Sequence, residues 1–212
     1  MRRRHVRYLI ALAVLLAALG VRYWTGEGRQ APGPMVVTRV IDGDTAELGD
    51  KEMVRLLGID TPEKGEPFYD SAKVFLRKMV LNRTVSLRYD KRKRDSYGRL
   101  LAYIYLDDTL LVNEAILTGG LGRMYIFPDN KSNQPVIDRL LTAQRRAMDS
   151  NRGIWSLPHI ASPYYVANRQ SMRFHRPECE SVQKLSEKQR IVYKTREAAC
   201  YEGFSPCRNC QP

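Results

Sequence analysis

The sequence predicts an α+β protein: a five-stranded β-barrel of the OB type with three helices, followed by a small C-terminal unit. Short apolar strand patterns follow one another closely from Met35 onward, and amphipathic helical patterns interrupt them. These two observations predict the barrel. All four cysteines lie in the last part of the 212-residue chain, which predicts a separate unit there.

The strand and helix patterns alternate along the middle of the chain. Gly119 and Gly120 end the second helical pattern, as glycine often does. The five strand patterns are 35–42 (MVVTRVID), 45–49 (TAELG), 52–60 (EMVRLLGID), 84–90 (TVSLRYD) and 99–106 (RLLAYIYL). The three helical patterns are 67–81, 111–117 and 134–150. No internal repeat is evident.

Residues 1–24 form an N-terminal segment of a different kind. Four arginines precede an apolar run at 8–21, which matches a secretory signal. The run is shorter than the ~20 residues that span a bilayer. However, no small-x-small cleavage site follows, and Tyr23 and Trp24 suit the membrane interface. An uncleaved anchor is therefore favoured over a cleaved signal, and either one places the remaining chain outside the cytoplasm.

The domain boundaries follow from these patterns. We expect a linker at 25–34, a barrel domain at 35–156, a second linker at 157–163 and the C-terminal unit at 164–212. The net charge of +12 favours a polyanionic partner, either nucleic acid or anionic lipid. Solubility alone is the other explanation of this charge. No protein partner is implied.

Carboxylates gather at the ends of predicted strands. Asp42 and Asp44 flank a tight turn, and Asp60 and Glu63 follow another strand. Carboxylates on adjacent strand ends repel one another unless a cation lies among them, and hard oxygen ligands suit Ca²⁺ or Mg²⁺. Ordinary turn chemistry is the alternative, since Asp is common in turns.

Two arginines favour the metal-site interpretation. Arg55 lies within a strand pattern where a charge is unexpected, and Arg99 begins another strand after Gly98. Guanidinium groups bind phosphate oxygens in a bidentate manner and stay charged. Such a pair could hold a phosphodiester and stabilise the added negative charge of its transition state.

Five motifs follow one another along the middle of the chain: VIDGDT, RLLGIDTPE, DSYGRLLAYIY, LVNEAIL and NRGIWS. Together these motifs resemble the staphylococcal nuclease (thermonuclease) family over residues 36–156. The resemblance implies the OB barrel with three helices, a nuclease activity on DNA or RNA that is not specific for the sugar, and 3′-phosphate products.

The resemblance also implies roles for individual residues. Asp44 and Asp60 correspond to the carboxylate ligands of Ca²⁺, the Thr61 carbonyl to a third ligand, and Asp42 to an outer-shell position. Arg55 and Arg99 correspond to the phosphate-binding pair, and Glu63 to the general base that is usually proposed. The alternative, from another class, is a catalytically silent OB-fold protein that binds nucleic acid at the cell envelope. Such a protein is expected to lose Arg55, Glu63 or Arg99, yet all three are present.

Substrate contacts are predicted around this site. Tyr97, Tyr125 and Phe127 resemble an aromatic wall on which a base stacks, with ordinary packing as the alternative. The basic run at 91–94 (KRKR) either follows the phosphate backbone or is a solvated loop. The segment after Glu63 (KGEP) and the segment at 125–128 are shorter than in the type enzyme, so we expect substrate preference to differ.

The C-terminal unit has the spacing of a zinc site. His175-x₃-Cys179 and Cys207-x₂-Cys210 are two ligand pairs separated by 27 residues. Disulfides are the alternative in an extracytoplasmic domain, but they leave His175 without a role. We therefore favour Zn²⁺, and we expect Cys200 to be buried and not to be a ligand. This stretch resembles the zinc-binding module of the bacterial Ada methylation-repair protein, which implies a structural role and DNA contact.

Overall fold

The structure is a computed structural model and describes residues 35–212. The predicted N-terminal segment and first linker, residues 1–34, lie outside the described residues. Within residues 35–212, no helix is both long enough and apolar enough to cross a membrane.

The barrel region contains eight strands and three α-helices. The strands are β1 (Met35–Val40), β2 (Thr45–Leu48), β3 (Met53–Leu56), β4 (Gly58–Asp60), β5 (Thr84–Arg94), β6 (Leu100–Leu106), β7 (Leu110–Leu111) and β8 (Arg123–Tyr125). The helices are α1 (Tyr69–Val80), α2 (Val112–Thr118) and α3 (Gln134–Asp149), and a 3₁₀ helix follows at Gly153–Ser156.

Five of these strands close into a ring, which confirms the predicted barrel. The sheet order is β3-β2-β1-β5-β6, and β6 pairs back onto β3. The closing pair is parallel, with Val54 opposite Leu100, and the other four pairs are antiparallel. Closure removes the unpaired edges that an open sheet of this size would carry.

The predicted helices cover the barrel with their apolar faces. Helix α1 buries Ala72, Leu76 and Val80, which recur at helical spacing. Each fully buried leucine contributes about 1.5–3 kcal/mol relative to exposure. Asn113 in α2 is fully buried. Its polar side chain is tolerated there because it accepts a hydrogen bond from Ile104 N and donates one to Leu57 O.

The predicted strand at 52–60 is divided in two. Gly58 adopts a positive φ of 78°, and a Cβ there would lie 2.5 Å from Leu140 Cδ1, so the chain turns closely against α3. After this turn β4 leaves the barrel and pairs with β8, placing Asp60 opposite Arg123. The sequence patterns did not predict β8 or this second, two-stranded sheet.

The basic run at 91–94 is neither a loop nor a separate element. It extends β5 to Arg94, where Arg94 pairs with Leu100 after an irregularity in register. The four side chains are exposed. The loop interpretation was wrong because β5 continues past the apolar positions that marked it in the sequence.

The C-terminal unit contains the strands β9 (Tyr165–Asn168), β10 (Arg173–His175), β11 (Arg190–Tyr193) and β12 (Ser205–Pro206), the helices α4 (Glu180–Gln183) and α5 (Arg196–Tyr201), and a 3₁₀ helix at Glu187–Gln189. The four strands form one sheet in the order β11-β9-β10-β12. Strand β10 pairs in parallel with β12, with Phe174 opposite Pro206. His175, the last residue of β10, and Cys207, which directly follows β12, are thereby brought to the same end of the sheet.

Buried polar contacts join this sheet to the barrel region. Gln144 of α3 accepts a hydrogen bond from Met124 N and donates one to Cys200 O, both at 2.6 Å. Ser205 Oγ donates to Met124 O, also at 2.6 Å. An unsatisfied buried group costs about 1–3 kcal/mol, so these contacts hold β8 against the C-terminal unit.

Candidate active site and metal centre

The turn between β1 and β2 presents Asp44 to the interior. Asp44 N donates to Asp42 Oδ1 at 3.0 Å, so Asp42 shapes the turn from its outer side. Gly43 permits a close approach, because a Cβ there would lie 2.6 Å from Ala72 Cβ and 2.7 Å from Thr61 Oγ1. The turn therefore packs directly against α1 and the segment after β4.

Arg55 joins the two predicted metal carboxylates. Its Nη2 lies 3.0 Å from Asp44 Oδ2 and 3.2 Å from Asp60 Oδ1, and all three side chains are buried. Arg55 Nη1 donates to Leu56 O at 2.8 Å, which fixes the orientation of the guanidinium. Burial raises the pKa of Asp44 to about 6, although the charge of Arg55 acts in the opposite direction.

Thr61 and Glu63 extend this cluster toward solvent. Thr61 donates from both N and Oγ1 to Asp44 Oδ2, at 2.9 and 3.0 Å. The Glu63 side chain is exposed and, together with Asp60, lines a groove of about 520 Å³. Its backbone N donates to Glu66 Oε2 at 2.8 Å, which holds the short segment after it.

Two further arginines reach Asp60. Arg123 Nη2 lies 3.4 Å from Asp60 Oδ2, as the β4–β8 register dictates. Arg208 Nη2 lies 2.7 Å from Asp60 Oδ1 and comes from the C-terminal unit, between Cys207 and Cys210. Neither was predicted. The sequence shows a charge between two predicted zinc ligands, but no pattern in it places that charge beside the barrel.

Within residues 35–212, Arg99 forms an ion pair with Asp95 and none with the carboxylates of this cluster. It follows the turn between β5 and β6, and its Nε pairs with Asp95 Oδ2 at 2.7 Å. Burial acts to raise the pKa of Asp95, but the hydrogen bonds from Arg99 outweigh it and lower that pKa. Among residues 35–212, neither terminal amino group of Arg99 donates a hydrogen bond. These donors are therefore available to a phosphate.

The three predicted aromatic contacts differ in their surroundings. Tyr97 is 84% exposed, with the Arg99 guanidinium 5.4 Å from its ring centroid. Tyr125 and Phe127 form an edge-to-face pair with centroids 5.1 Å apart. The guanidinium of Arg173 lies 3.5 Å from the Tyr125 centroid, and that of Arg208 lies 5.1 Å away. Arginines of the C-terminal unit thus cover part of the ring on which a base was expected.

The donor set of the cluster fits a hard cation. Asp44 and Asp60 converge on one guanidinium nitrogen, and Thr61 adjoins them. Carboxylate and carbonyl oxygens are the ligands that Ca²⁺ takes, with solvent completing a shell of about 6–8 oxygens. Because Arg208 occupies Asp60 Oδ1, a cation bound there has to displace that guanidinium.

The predicted zinc ligands converge in the C-terminal unit. One ligand atom from each of His175, Cys179, Cys207 and Cys210 lies within 4.8 Å of the others. His175 Nδ1 and Cys179 Sγ are 3.5 Å apart. A tetrahedron built on Zn–S and Zn–N bonds of about 2.3 and 2.0 Å has edges of roughly 3.5–3.8 Å, so the cluster fits Zn²⁺. Burial lowers the pKa of His175, which favours the neutral imidazole that a metal needs.

The fourth cysteine is separate from this cluster. Cys200 is buried with Phe174 and Phe204, and burial raises the pKa of its thiol to about 12. All four cysteines are free thiols among residues 35–212. The geometry therefore supports the metal interpretation over the disulfide alternative, with Cys200 in the apolar core as predicted.

Comparison with known proteins confirms both predicted resemblances. The family model described as staphylococcal nuclease homologue matches residues 53–157, and that of the metal binding domain of Ada matches residues 156–212. A thermonuclease of Staphylococcus intermedius is 33% identical over 163 residues, covering 69% of this chain and 95% of the relative.

Two other relatives match part of the chain. A thermonuclease of Staphylococcus hyicus is 36% identical, covering 57% of this chain and 74% of the relative. An uncharacterized endonuclease of Escherichia coli O157:H7 is 32% identical, covering 63% of this chain and 84% of the relative.

Proposed function

The chain belongs to the family of staphylococcal nuclease homologues and is a hydrolase of the nuclease class, and on that premise we propose that it hydrolyses phosphodiester bonds of DNA, RNA or both with Ca²⁺ as its cofactor. The further proposal, from the family resemblance, is that cleavage does not depend on the sugar and leaves 3′-phosphate ends.

One observation carries the proposal. Arg55 binds both Asp44 and Asp60 in a buried cluster, and Asp60 shares an open groove with Glu63. Two buried carboxylates around a fixed guanidinium offer little to barrel stability, because desolvation offsets most of their Coulombic attraction. The same groups beside a solvent-accessible base are what phosphodiester hydrolysis needs.

Each proposed catalytic residue has its own role in the hydrolysis. Glu63, exposed in the groove, accepts the proton of the attacking water. Arg99 offers two free amino groups to the phosphate oxygens, and Arg55 stabilises negative charge from the buried side. Asp44, Asp60 and the Thr61 carbonyl would hold Ca²⁺, which supplies Lewis-acid polarisation of the phosphate when bound.

The C-terminal unit, residues 164–212, is called the C-terminal module from here on. It would hold Zn²⁺ through His175, Cys179, Cys207 and Cys210 as a structural ion. A unit of this size has a small apolar core, and such units usually need a metal or disulfides. For the N-terminal segment, residues 1–24, we propose export or anchoring that leaves the nuclease outside the cytoplasm. Cell fractionation with protease protection tests that location.

The test of the activity is a cleavage assay of the full-length protein on single-stranded and duplex DNA and on RNA, with Ca²⁺ or a calcium chelator. We expect calcium-dependent cleavage and products whose 3′ ends accept a label only after 3′-phosphatase treatment. Binding of these nucleic acids without any cleavage would instead support the silent OB-fold alternative. Cleavage that leaves 3′-hydroxyl ends would contradict the proposed chemistry of the products.

A further inference from the structure

A groove runs between the barrel region and the C-terminal module. Asp60, Glu63 and Arg123 line one side, and Arg176, Arg196 and Arg208 line the other. The groove is about 520 Å³ and contains the proposed catalytic base, so anything bound in it lies next to the reacting position.

The module holds its three arginines in place. Arg208 lies between two zinc ligands, and its side chain is 60% exposed to the groove. Arg176 donates to Cys210 O, Ser162 Oγ and Gln211 O, and Arg196 donates to Pro212 O. The charges are therefore presented from a backbone that the Cys/His cluster organises.

Two of these charges have no acidic side chain as a partner. Within residues 35–212, neither Arg176 nor Arg196 forms a salt bridge with an Asp or Glu side chain. Arg176 binds a hydroxyl and two backbone carbonyls, and Arg196 binds the oxygen of Pro212, the last residue of the given sequence. Arg208 gives Nη2 to Asp60 but keeps its other N–H donors, because a guanidinium carries five. Half-buried guanidinium groups with donors to spare attract a polyanion such as the phosphate backbone.

The size of the groove limits what it accepts. Pockets of about 300–1,000 Å³ hold small ligands, which corresponds to a few nucleotides and not to the width of a duplex. Ile160, which is 79% exposed, lines the same groove and offers an apolar surface to a base or sugar. These dimensions favour an unpaired strand.

We propose that this groove binds the phosphodiester backbone of single-stranded nucleic acid, with Arg176, Arg196 and Arg208 as phosphate-contacting residues. This inference rests on the proposed function. It assigns the C-terminal module a share of the substrate site, and it makes the module determine the preference for single strands.

The test measures binding apart from cleavage. Fluorescein-labelled 12-mers of single-stranded DNA, single-stranded RNA and duplex DNA are titrated with full-length protein in calcium-free buffer, and anisotropy is followed at several salt concentrations. The groove variant is Arg176→Gln/Arg196→Gln/Arg208→Gln. The matched control is Arg169→Gln/Lys188→Gln/Lys194→Gln, which removes three exposed charges of the same module that do not line the groove.

For single strands we expect the groove variant to bind at least about tenfold more weakly and its log–log salt slope to fall by about 2, since each phosphate contact on a single strand contributes about 0.7. The control should bind within about twofold of the wild type and keep its slope, as each retained phosphate contact keeps that contribution. Wild-type protein should bind both single strands more tightly than the duplex.

Folding is checked independently. Zinc content and thermal unfolding are measured for each variant, and Arg208→Gln, the most exposed position, serves as a second variant. It should lower the slope by about 0.7 with an unchanged fold. Suppose that the wild-type protein cleaves nucleic acid and that the folded groove variant binds single strands with wild-type affinity and wild-type salt slope. That result would overturn this inference and leave the proposed function standing. A wild-type protein that neither binds nor cleaves would overturn the proposed function as well.

Discussion

Arg208 Nη2 lies 2.7 Å from Asp60 Oδ1, across the boundary between the C-terminal module and the barrel region. Asp60 is buried and is one of the carboxylates proposed to hold the catalytic cation. Burial acts to lower the pKa of Arg208, but the charge of Asp60 outweighs it and raises that pKa. The arginine therefore remains fully charged. A residue between two predicted zinc ligands thus occupies an oxygen that the proposed calcium ion would need.

We therefore expect Arg208→Gln to strengthen calcium binding. Removing a charge a few ångströms from the cation removes a repulsion, and because the side chain is mostly exposed, screening limits the gain to about 1 kcal/mol, or roughly fivefold. Calorimetric titration of the full-length protein with CaCl₂ measures this affinity. Arg169→Gln, an exposed charge elsewhere on the module, should leave it unchanged, and weaker binding in Arg208→Gln would exclude competition.

Glu63→Ala and Arg99→Ala should each abolish most cleavage without unfolding the protein. Loss of a general base lowers the cleavage rate by about 10²–10⁴-fold, and loss of a group that stabilises the transition state lowers it by about 10²–10³-fold. Both side chains reach solvent, so their removal leaves the apolar core intact. Single-turnover cleavage of single-stranded DNA gives the rates, and circular dichroism checks the fold. Glu187→Ala and Arg169→Ala are the matched controls, and full activity in either catalytic variant would remove that residue from the mechanism.

Calcium affinity should depend on pH near 6. Burial raises the pKa of Asp44 to about 6 in the metal-free protein. Below that pH the carboxyl is protonated and calcium has to displace the proton, so apparent affinity falls by up to about tenfold per pH unit. Above it the carboxylate is ionised and this dependence disappears. Titrations between pH 5 and 8 measure the effect, and Asp44→Asn should bind weakly with no such step. A flat wild-type profile would contradict a calcium ligand at Asp44 with a raised pKa.

Gly43→Ala should weaken calcium binding and lower the melting temperature. The added Cβ would lie within 3 Å of Ala72 Cβ and of the Thr61 side chain, so the turn must move away from α1. Overpacking of this kind costs about 1–3 kcal/mol, and the movement separates Thr61 from Asp44. Thermal unfolding and calcium titration test both effects. Gly49→Ala is the control, because a Cβ there meets nothing closer than 3.8 Å.

Loss of a zinc ligand should disorganise the groove. Cys207→Ser is expected to lose the roughly one zinc ion per chain that four ligands hold and to bind single strands more weakly, because Arg208 follows that ligand directly. Metal analysis and anisotropy provide the two measurements. Cys200→Ala, whose thiol lies outside the cluster, should keep its zinc. A Cys207→Ser protein with full zinc content would contradict the proposed ligand set.

The predicted helices agree with the structure to within two residues at each end, because apolar residues at a period of 3.6 are a local signal. Strand periodicity located the five barrel strands less closely: β5 continues to Arg94, past its predicted end at residue 90, and the pattern at 52–60 is divided in two. There Gly58 turns the chain, and only the packing of Leu140 against it explains why β4 leaves the barrel.

Local patterns and ligand spacing were enough to predict the barrel, the C-terminal module and the residue types of both proposed metal sites. The sequence contained Asp44, Arg55, Asp60 and Glu63 in recognisable motifs. Only the tertiary structure placed Arg123 and Arg208 on Asp60 and opened the groove between barrel and module. Those contacts join residues as far as 148 positions apart, and no local periodicity encodes which surfaces meet when two folded sheets pack together.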